Sequence, residues 1–479
     1  MRAAVRTLLL GSLVSGSLIL ACAQPATAPA TPARSSSAPS DGANASAGGS
    51  PNQPVGSAQQ AATTREVAEA LQLVASVRRL EPRREVPGVR LTRSELLKEM
   101  SRMLAQESPP QLMLGTREVL FAADTIAPGF DLEQGIVKMY TSELAGFYDP
   151  KVKRMVLISD LSGDAQNITL YHELVHALQD QHFDLTRAFD WQPDMSDQQS
   201  ALHALAEGDA TAAMVEVFAA ARGQPAQRLP AELLAAQSLI GQADPALAEL
   251  PGVMLRSMLA PYADGLAFVQ ALRSAGEDWS KVDNAFREPP QSTEQLLHPL
   301  KYLAREAPHL PPVPAAPPGF EELYRDVMGE QGTRLIFEDW APNKQAAEAA
   351  SDWDGDRVVV YRRGNQYAVH WHLVFDNEAA ASRALVTLAR GAARPELAPD
   401  VDARTAAVRP FADAAAAAAN ARNLSLCQLR GQRGPFAATR HGRHVGVVFG
   451  PYERTGTGVR AAGTCPDALS TAHAIARTQ

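Results

Sequence analysis

The segment YHELVHALQDQHFD, Tyr171 to Asp184, sets three histidines and a glutamate within little more than three helical turns, in a chain holding 11 histidines among 479 residues. Within it, His172 to His176 has the form His-Glu-x-x-His. On a helix, residues four apart stand one turn above each other, about 40° apart around the axis, so both imidazoles can address one ion. Glu173 falls about 100° from His172, where its carboxylate reaches a water beside the ion rather than the ion itself. Ile168, Tyr171, Leu174, Val175 and Leu178 gather on the far side as a core face, while Gln179 and Phe183 share the stripe of His172. Neutral imidazoles suit zinc, and a catalytic zinc takes three protein ligands and keeps one position for water. The ion acidifies that water, and a neighbouring carboxylate takes the proton and returns it to a leaving amine. These residues predict zinc-dependent hydrolysis, with His172 and His176 as ligands and Glu173 as general base and acid. An amphipathic helix with an exposed polar face would carry the same letters.

A third ligand has two candidates. His182 stands six residues after His176, the spacing of the HExxHxxGxxH motif of metzincins, but Gln179 occupies the position of that motif's glycine. With nothing to break the helix, His182 lies about 280° from His172, over the core face and away from the ion. Glu207, in ALAEGDA, is the better candidate. It belongs to SDQQSALHALAEGDATAAMVEVFAAA, a strong helical pattern that opens with Ser196 and Gln199 in capping-box spacing. Ala204, Leu205, Ala206 and Ala210 mark this helix as largely buried, and a buried carboxylate needs a partner. Gly208, costly inside a helix, predicts a close approach between this helix and the one bearing the histidines. His203, one turn before Glu207, is expected on the same face, toward substrate or the site's surroundings. Asp209 is a candidate to orient a ligand imidazole.

The combination of GFYDP (Gly146–Pro150), HELVHALQDQHF, ALAEGDA and STEQLLHP (Ser292–Pro299) resembles a group of bacterial exported proteins regarded as gluzincin-type zinc metallopeptidases. The resemblance covers roughly residues 65 to 305. It implies that Glu207, from the helix following HELVH, completes a Zn2+ site with His172 and His176. It also implies a zincin fold, in which a small sheet with an edge strand for the substrate backbone packs on the HExxH helix. Arg154–Ile158 is the expected edge strand, after a short strand at Ala145–Tyr148 and an Asp149-Pro150 turn. Zincins commonly supply a Tyr, His or Arg opposite the metal to stabilise the oxyanion; Tyr262 and His298 are the candidates here. Gluzincins often place an acid four residues after the ligand glutamate, where this chain has Thr211.

The N-terminus, MRAAVRTLLLGSLVSGSLILACAQ, reads as a signal peptide over 1–21. It ends in Ile19-Leu20-Ala21-Cys22, which resembles the lipobox of bacterial lipoproteins and implies lipidation of Cys22. The expectation is an exported, lipid-anchored cell-envelope protein, on the outer membrane in a Gram-negative host. The other two cysteines, Cys427 and Cys465, are then free to pair in an oxidising compartment. The formal charge of −8 becomes −10 once Arg2 and Arg6 are removed, and nothing in it points to nucleic acid.

Residues 22–63 are poor in large apolar side chains and read as a disordered tether. A metallopeptidase domain at 64–306, a proline-rich linker at 307–319 and a C-terminal α+β domain at 320–479 follow, an α+β fold class throughout. The linker segment holds six prolines between Ala307 and Phe320. In the second domain, a hairpin is expected around a Gly364-Asn365 turn. DWDGD (Asp352–Asp356) lacks the glycine and closing glutamate of a calcium loop and reads as a turn. The functional expectation is peptide-bond hydrolysis on a peptide or protein substrate. The alternative is a non-catalytic envelope protein that uses a zincin scaffold to hold peptide or cell-wall ligands.

Overall fold

The computed structural model describes residues 57–107, 109–143, 146–159, 163–188, 191–221, 223, 247, 249–274, 278–392, 425–456 and 458–478. The signal peptide, Cys22 and residues 22–56 of the expected tether lie outside them. Residues 57–63 of that tether belong instead to α1 (Ser57–Arg78), and Thr63 is buried. The apolar residues that seat this helix, Val67, Leu71 and Val74, follow the polar stretch closely, so composition alone put the boundary too late.

The first half is mostly helical around a three-stranded sheet. β1 (Gly88–Leu91) leads into α2 (Arg93–Glu107), whose start is closed by a capping box between Thr92 and Glu95. Next come α3 (Pro110–Ala122) and α4 (Leu132–Glu143), then the hairpin of β2 (Gly146–Asp149) and β3 (Arg154–Ile158). Asp149 makes the turn by accepting from the Lys151 amide at 3.0 Å. The sheet order is β1-β3-β2, with β1 parallel to β3. Arg154–Ile158 is therefore the central strand, not an edge. Its run Met155–Ile158 is wholly buried, as is the edge strand β2, so the sheet is covered on both faces here. The edges are β1 and β2.

α5 (Asp164–Phe183) carries HELVH and packs against β2. It is buried on all faces from His172 to Gln181, so the division into a polar and a core face is not one between solvent and interior. α6 (Ser196–Ala221) carries Glu207, and α7 (Gly252–Ser274) lies along it. The Ser196–Gln199 capping box does not form. Ser196 is already inside the helix, and its amide and hydroxyl both donate to Asp326, across the fold. Gly208 meets Gly265 of α7 rather than α5: a Cβ at Gly208 would lie 2.0 Å from the Gly265 carbonyl carbon. Three short helices close this half: α8 (Ser280–Arg287), α9 (Thr293–Leu297) and α10 (Pro299–Ala304).

The second half is an antiparallel sheet with helices. β4 (Glu321–Asp326), α11 (Gly329–Phe337), α12 (Asn343–Ala350), β5 (Trp353–Arg363), β6 (Gln366–Phe375) and α13 (Glu378–Ala392) come first. After them come β7 (Ser425–Leu429), β8 (Pro435–His441), β9 (His444–Thr455), β10 (Gly458–Ala461) and α14 (Cys465–Arg477). The strand order is β4-β5-β6-β9-β8-β7, with β10 on β9. β5 and β6 form the expected hairpin, Arg363 pairing with Gln366 across Gly364, whose φ is +58°. A disulfide joins Cys427 of β7 to Cys465 at the start of α14. Of DWDGD, only Asp352 lies in a turn, with φ +59°; Trp353–Asp356 open β5, with Trp353, Gly355 and Asp356 buried. Asp356 accepts from the Met328 and Gly329 amides and the Trp353 and Trp371 indoles.

One hydrophobic core runs through both halves, from Val67 to Val459. The proline-rich segment 307–319 lies against β5: Arg357 donates to the Pro311 carbonyl at 2.8 Å, and Tyr361 to that of Pro314. Arg454 pairs with buried Glu118 of α3, and Trp191 donates to Asp326 of β4. Among the described residues, no helix is long and apolar enough to cross a membrane.

Candidate metal centre

α5 and α6 cross so that three side chains meet. His172 Nε2 lies 3.0 Å from Glu207 Oε2 and 3.1 Å from His176 Nε2, and His176 Nε2 lies 3.6 Å from Glu207 Oε2. The one-turn spacing sets the two imidazoles edge to face, with ring centroids 4.8 Å apart. All three side chains are 0–1 % exposed. Four ligands arranged tetrahedrally at zinc's usual Zn–N and Zn–O lengths stand about 3.3 Å from one another. The observed separations bracket that value, so the donor set fits zinc in number, type and spacing. Without a cation, only imidazole protons can separate these three buried atoms, each of which can accept.

The electrostatics agree with the geometry. Burial pushes the Glu207 carboxyl up, but His176, His172 and His203 around it outweigh burial and hold it well below the usual carboxylate range. Burial holds the His172 imidazole below its ordinary value, favouring the neutral form that a metal ligand requires. The second oxygen of Glu207 is also engaged, with His203 Nε2 2.9 Å from Oε1. His203 thus faces the same way as Glu207, as the helical spacing predicts.

Glu173 is buried beside this centre. Its Oε2 accepts from the Tyr148 amide of β2 at 2.9 Å, and its Oε1 has no hydrogen-bond partner among the described residues. Burial raises its carboxyl well above the usual range, against the Tyr148 amide and with the help of the Glu207 charge. β2 is itself pinned: the Tyr148 hydroxyl donates to Asp180 at 2.8 Å, and Asp180 also takes Lys153 and Arg84. Tyr148 and Asp180 escaped sequence reasoning because they act on Glu173 through a backbone amide, which leaves no side-chain signature.

Of the two oxyanion candidates, Tyr262 of α7 stands against His172, with ring centroids 5.8 Å apart. His298 pairs instead with Glu330 of α11, at 2.9 Å. His182 is carried past the centre by an unbroken helix, as expected, but it does not enter the core. It is partly exposed, with Nε2 2.8 Å from the Glu81 carbonyl. Asp209 meets no ligand imidazole directly; Gln179 stands between it and His176. A second acidic group, Glu294, Glu306 and Asp376, converges in the same manner, but Lys301 already pairs with all three.

A family model described as a domain of unknown function (DUF8575) matches residues 320–460. The match begins beyond residues 307–319 and includes none of His172, Glu173, His176 and Glu207. Neither the curated proteins nor the solved structures give a match to this chain.

Proposed function

We propose that this chain is a gluzincin-type, zinc-dependent peptidase of zincin-like fold, anchored to the cell envelope through a lipidated Cys22. The observation that carries the reading is the meeting of three buried donor atoms 3.0 to 3.6 Å apart, on the two helices that hold HELVH and ALAEGDA. His172, His176 and Glu207 would hold the ion. Bound there, zinc supplies an acidified water and polarises the scissile carbonyl.

The chain's own residues supply the rest. Glu173 keeps one oxygen tied to the Tyr148 amide, so Oε1, which has no partner among the described residues, is the atom that takes a proton from water and returns it to the leaving amine. Its raised affinity for a proton, caused first by burial, suits a group that must hold one between the two transfers. Of the two oxyanion candidates, Tyr262 is the one whose ring lies beside His172, and its hydroxyl would donate to the developing oxyanion. His203 holds the second oxygen of Glu207 and so limits how that carboxylate turns.

The near-complete burial of the three donors favours one further reading, a zincin scaffold that keeps its metal but performs no hydrolysis, since closed zinc sites are commonly structural. A peptide-library digest separates the two. The peptidase reading expects cleavage by the wild type and a loss of several orders of magnitude in Glu173→Gln, which retains zinc. Zinc-loaded wild type as inactive as Glu173→Gln would leave the scaffold reading.

A further inference from the structure

A single carboxamide connects His176 to a buried ion pair. Gln179 Nε2 donates to the Ala206 carbonyl at 3.0 Å and to Asp209 Oδ2 at 2.8 Å. Ala206 offers a carbonyl, and Asp209 a carboxylate already paired with a guanidinium, so the amide nitrogen belongs on that side. Oε1 of Gln179 then faces His176 Nδ1, 2.8 Å away. An amide oxygen only accepts, so Nδ1 carries the imidazole proton. His176 Nε2 is left as a lone pair directed toward His172 Nε2 and Glu207 Oε2.

The far end of this chain of contacts is immobilised. Asp209 Oδ1 accepts from Arg78 Nε at 2.6 Å, and both side chains are fully buried. Arg78 is held in turn by Asp283 at 2.7 Å and by the Trp279 ring, 4.5 Å from its guanidinium carbon. Arg78 is the last residue of α1, so this helix reaches the metal centre through three side chains. His172 has no such relay: its Nδ1 lacks a hydrogen-bond partner among the described residues. The two histidines of the motif are therefore not equivalent.

We propose that Gln179, anchored by Asp209 and Arg78, is a positioning residue that locks His176 in its Nδ1–H tautomer and thereby sets how tightly the centre binds zinc. The inference rests on the zinc reading of the centre, not on peptide hydrolysis. A ligand imidazole whose other nitrogen is held by an acceptor presents one fixed lone pair, and loss of such an acceptor typically weakens metal binding about 10- to 100-fold.

The test uses the full chain labelled with 15N at histidine. Long-range 1H–15N spectra of the metal-free protein read the tautomer of each imidazole, and competition with a chromophoric chelator reads zinc affinity. The expected result is an Nδ1–H His176 in the wild type. Gln179→Leu is expected to lose that tautomer and bind zinc about 10- to 100-fold more weakly. Asp209→Asn, which keeps the shape but can no longer serve Arg78 and Gln179 together, is expected to show a smaller loss in the same direction. It stands in for Gln179→Leu should that variant fail to fold. An Nε2–H His176 in the wild type, or unchanged zinc affinity in the variant that folds, overturns the relay. A wild type that takes up no zinc overturns the zinc reading of the centre, and with it the affinity part of the proposal, while the tautomer is still read from the spectra.

Discussion

Gly208 and Gly265 are in backbone contact: a Cβ on Gly265 would lie 1.7 Å from the Ala204 carbonyl oxygen and 3.0 Å from the Gly208 amide nitrogen. Glu207 is the residue beside this contact, so the approach of α7 fixes the height of the proposed third ligand.

Gly265→Ala should therefore do two things. The obstructing atoms are backbone and cannot swing aside, so the helices must part, at a cost of about 1–3 kcal/mol or more. The shift should also reach Glu207 and weaken zinc binding. Urea denaturation and zinc titration of the same preparation check both; full stability with unaltered zinc affinity would contradict the described contact.

Asp180 tests the support of the proposed general base, Glu173. It accepts from the Tyr148 hydroxyl, Lys153 and Arg84, and its own side chain is fully buried. Arg84 is 40 % and Lys153 35 % exposed, so solvent screens both pairs, and Asp180→Ala should cost on the order of 1–2 kcal/mol. Tyr148 also carries the amide that holds Glu173. The prediction is a fall in kcat with zinc content unchanged, read by peptide hydrolysis alongside metal analysis.

The pair of His298 and Glu330 gives a pH dependence of known sign. The Glu330 carboxylate holds the His298 imidazole above its ordinary 6.5. A group whose pKa is raised on folding contributes its stability fully below the unfolded value and loses it as pH rises through the folded one. The wild type should exceed His298→Gln in stability near pH 5.5, and the gap should close above the raised value. The imidazole is 39 % exposed, so the gap should stay below about 1 kcal/mol. Denaturation series from pH 5.5 to 8.5 check this; a gap that widens with pH would contradict it.

How much of this was legible in the letters differs from element to element. His172, His176 and Glu207 could be brought together from spacing, a buried helix pattern and a family resemblance, because helical periodicity fixes direction. The partner of Gly208 could not be found that way, since close packing says that something approaches but not which helix. The position of Arg154–Ile158 within its sheet was misread because its parallel partner, β1, lies far upstream and carries no turn signal. The turn expected over DWDGD holds only at Asp352, for a similar reason: the four donors that justify burying Asp356 come from β4–α11, β5 and β6, which only the fold assembles. Gln179 stood in plain view on the stripe of His172, yet its role depends on Asp209 and Arg78, from two other helices.

The central claim is that α5 and α6 together hold one zinc ion, and metal analysis of purified full chain tests it most directly. Wild type and His182→Ala should each retain about one equivalent of zinc, the normal load of a mononuclear site. His172→Ala, His176→Ala and Glu207→Ala should retain almost none. Zinc kept by Glu207→Ala and lost from His182→Ala would contradict the account.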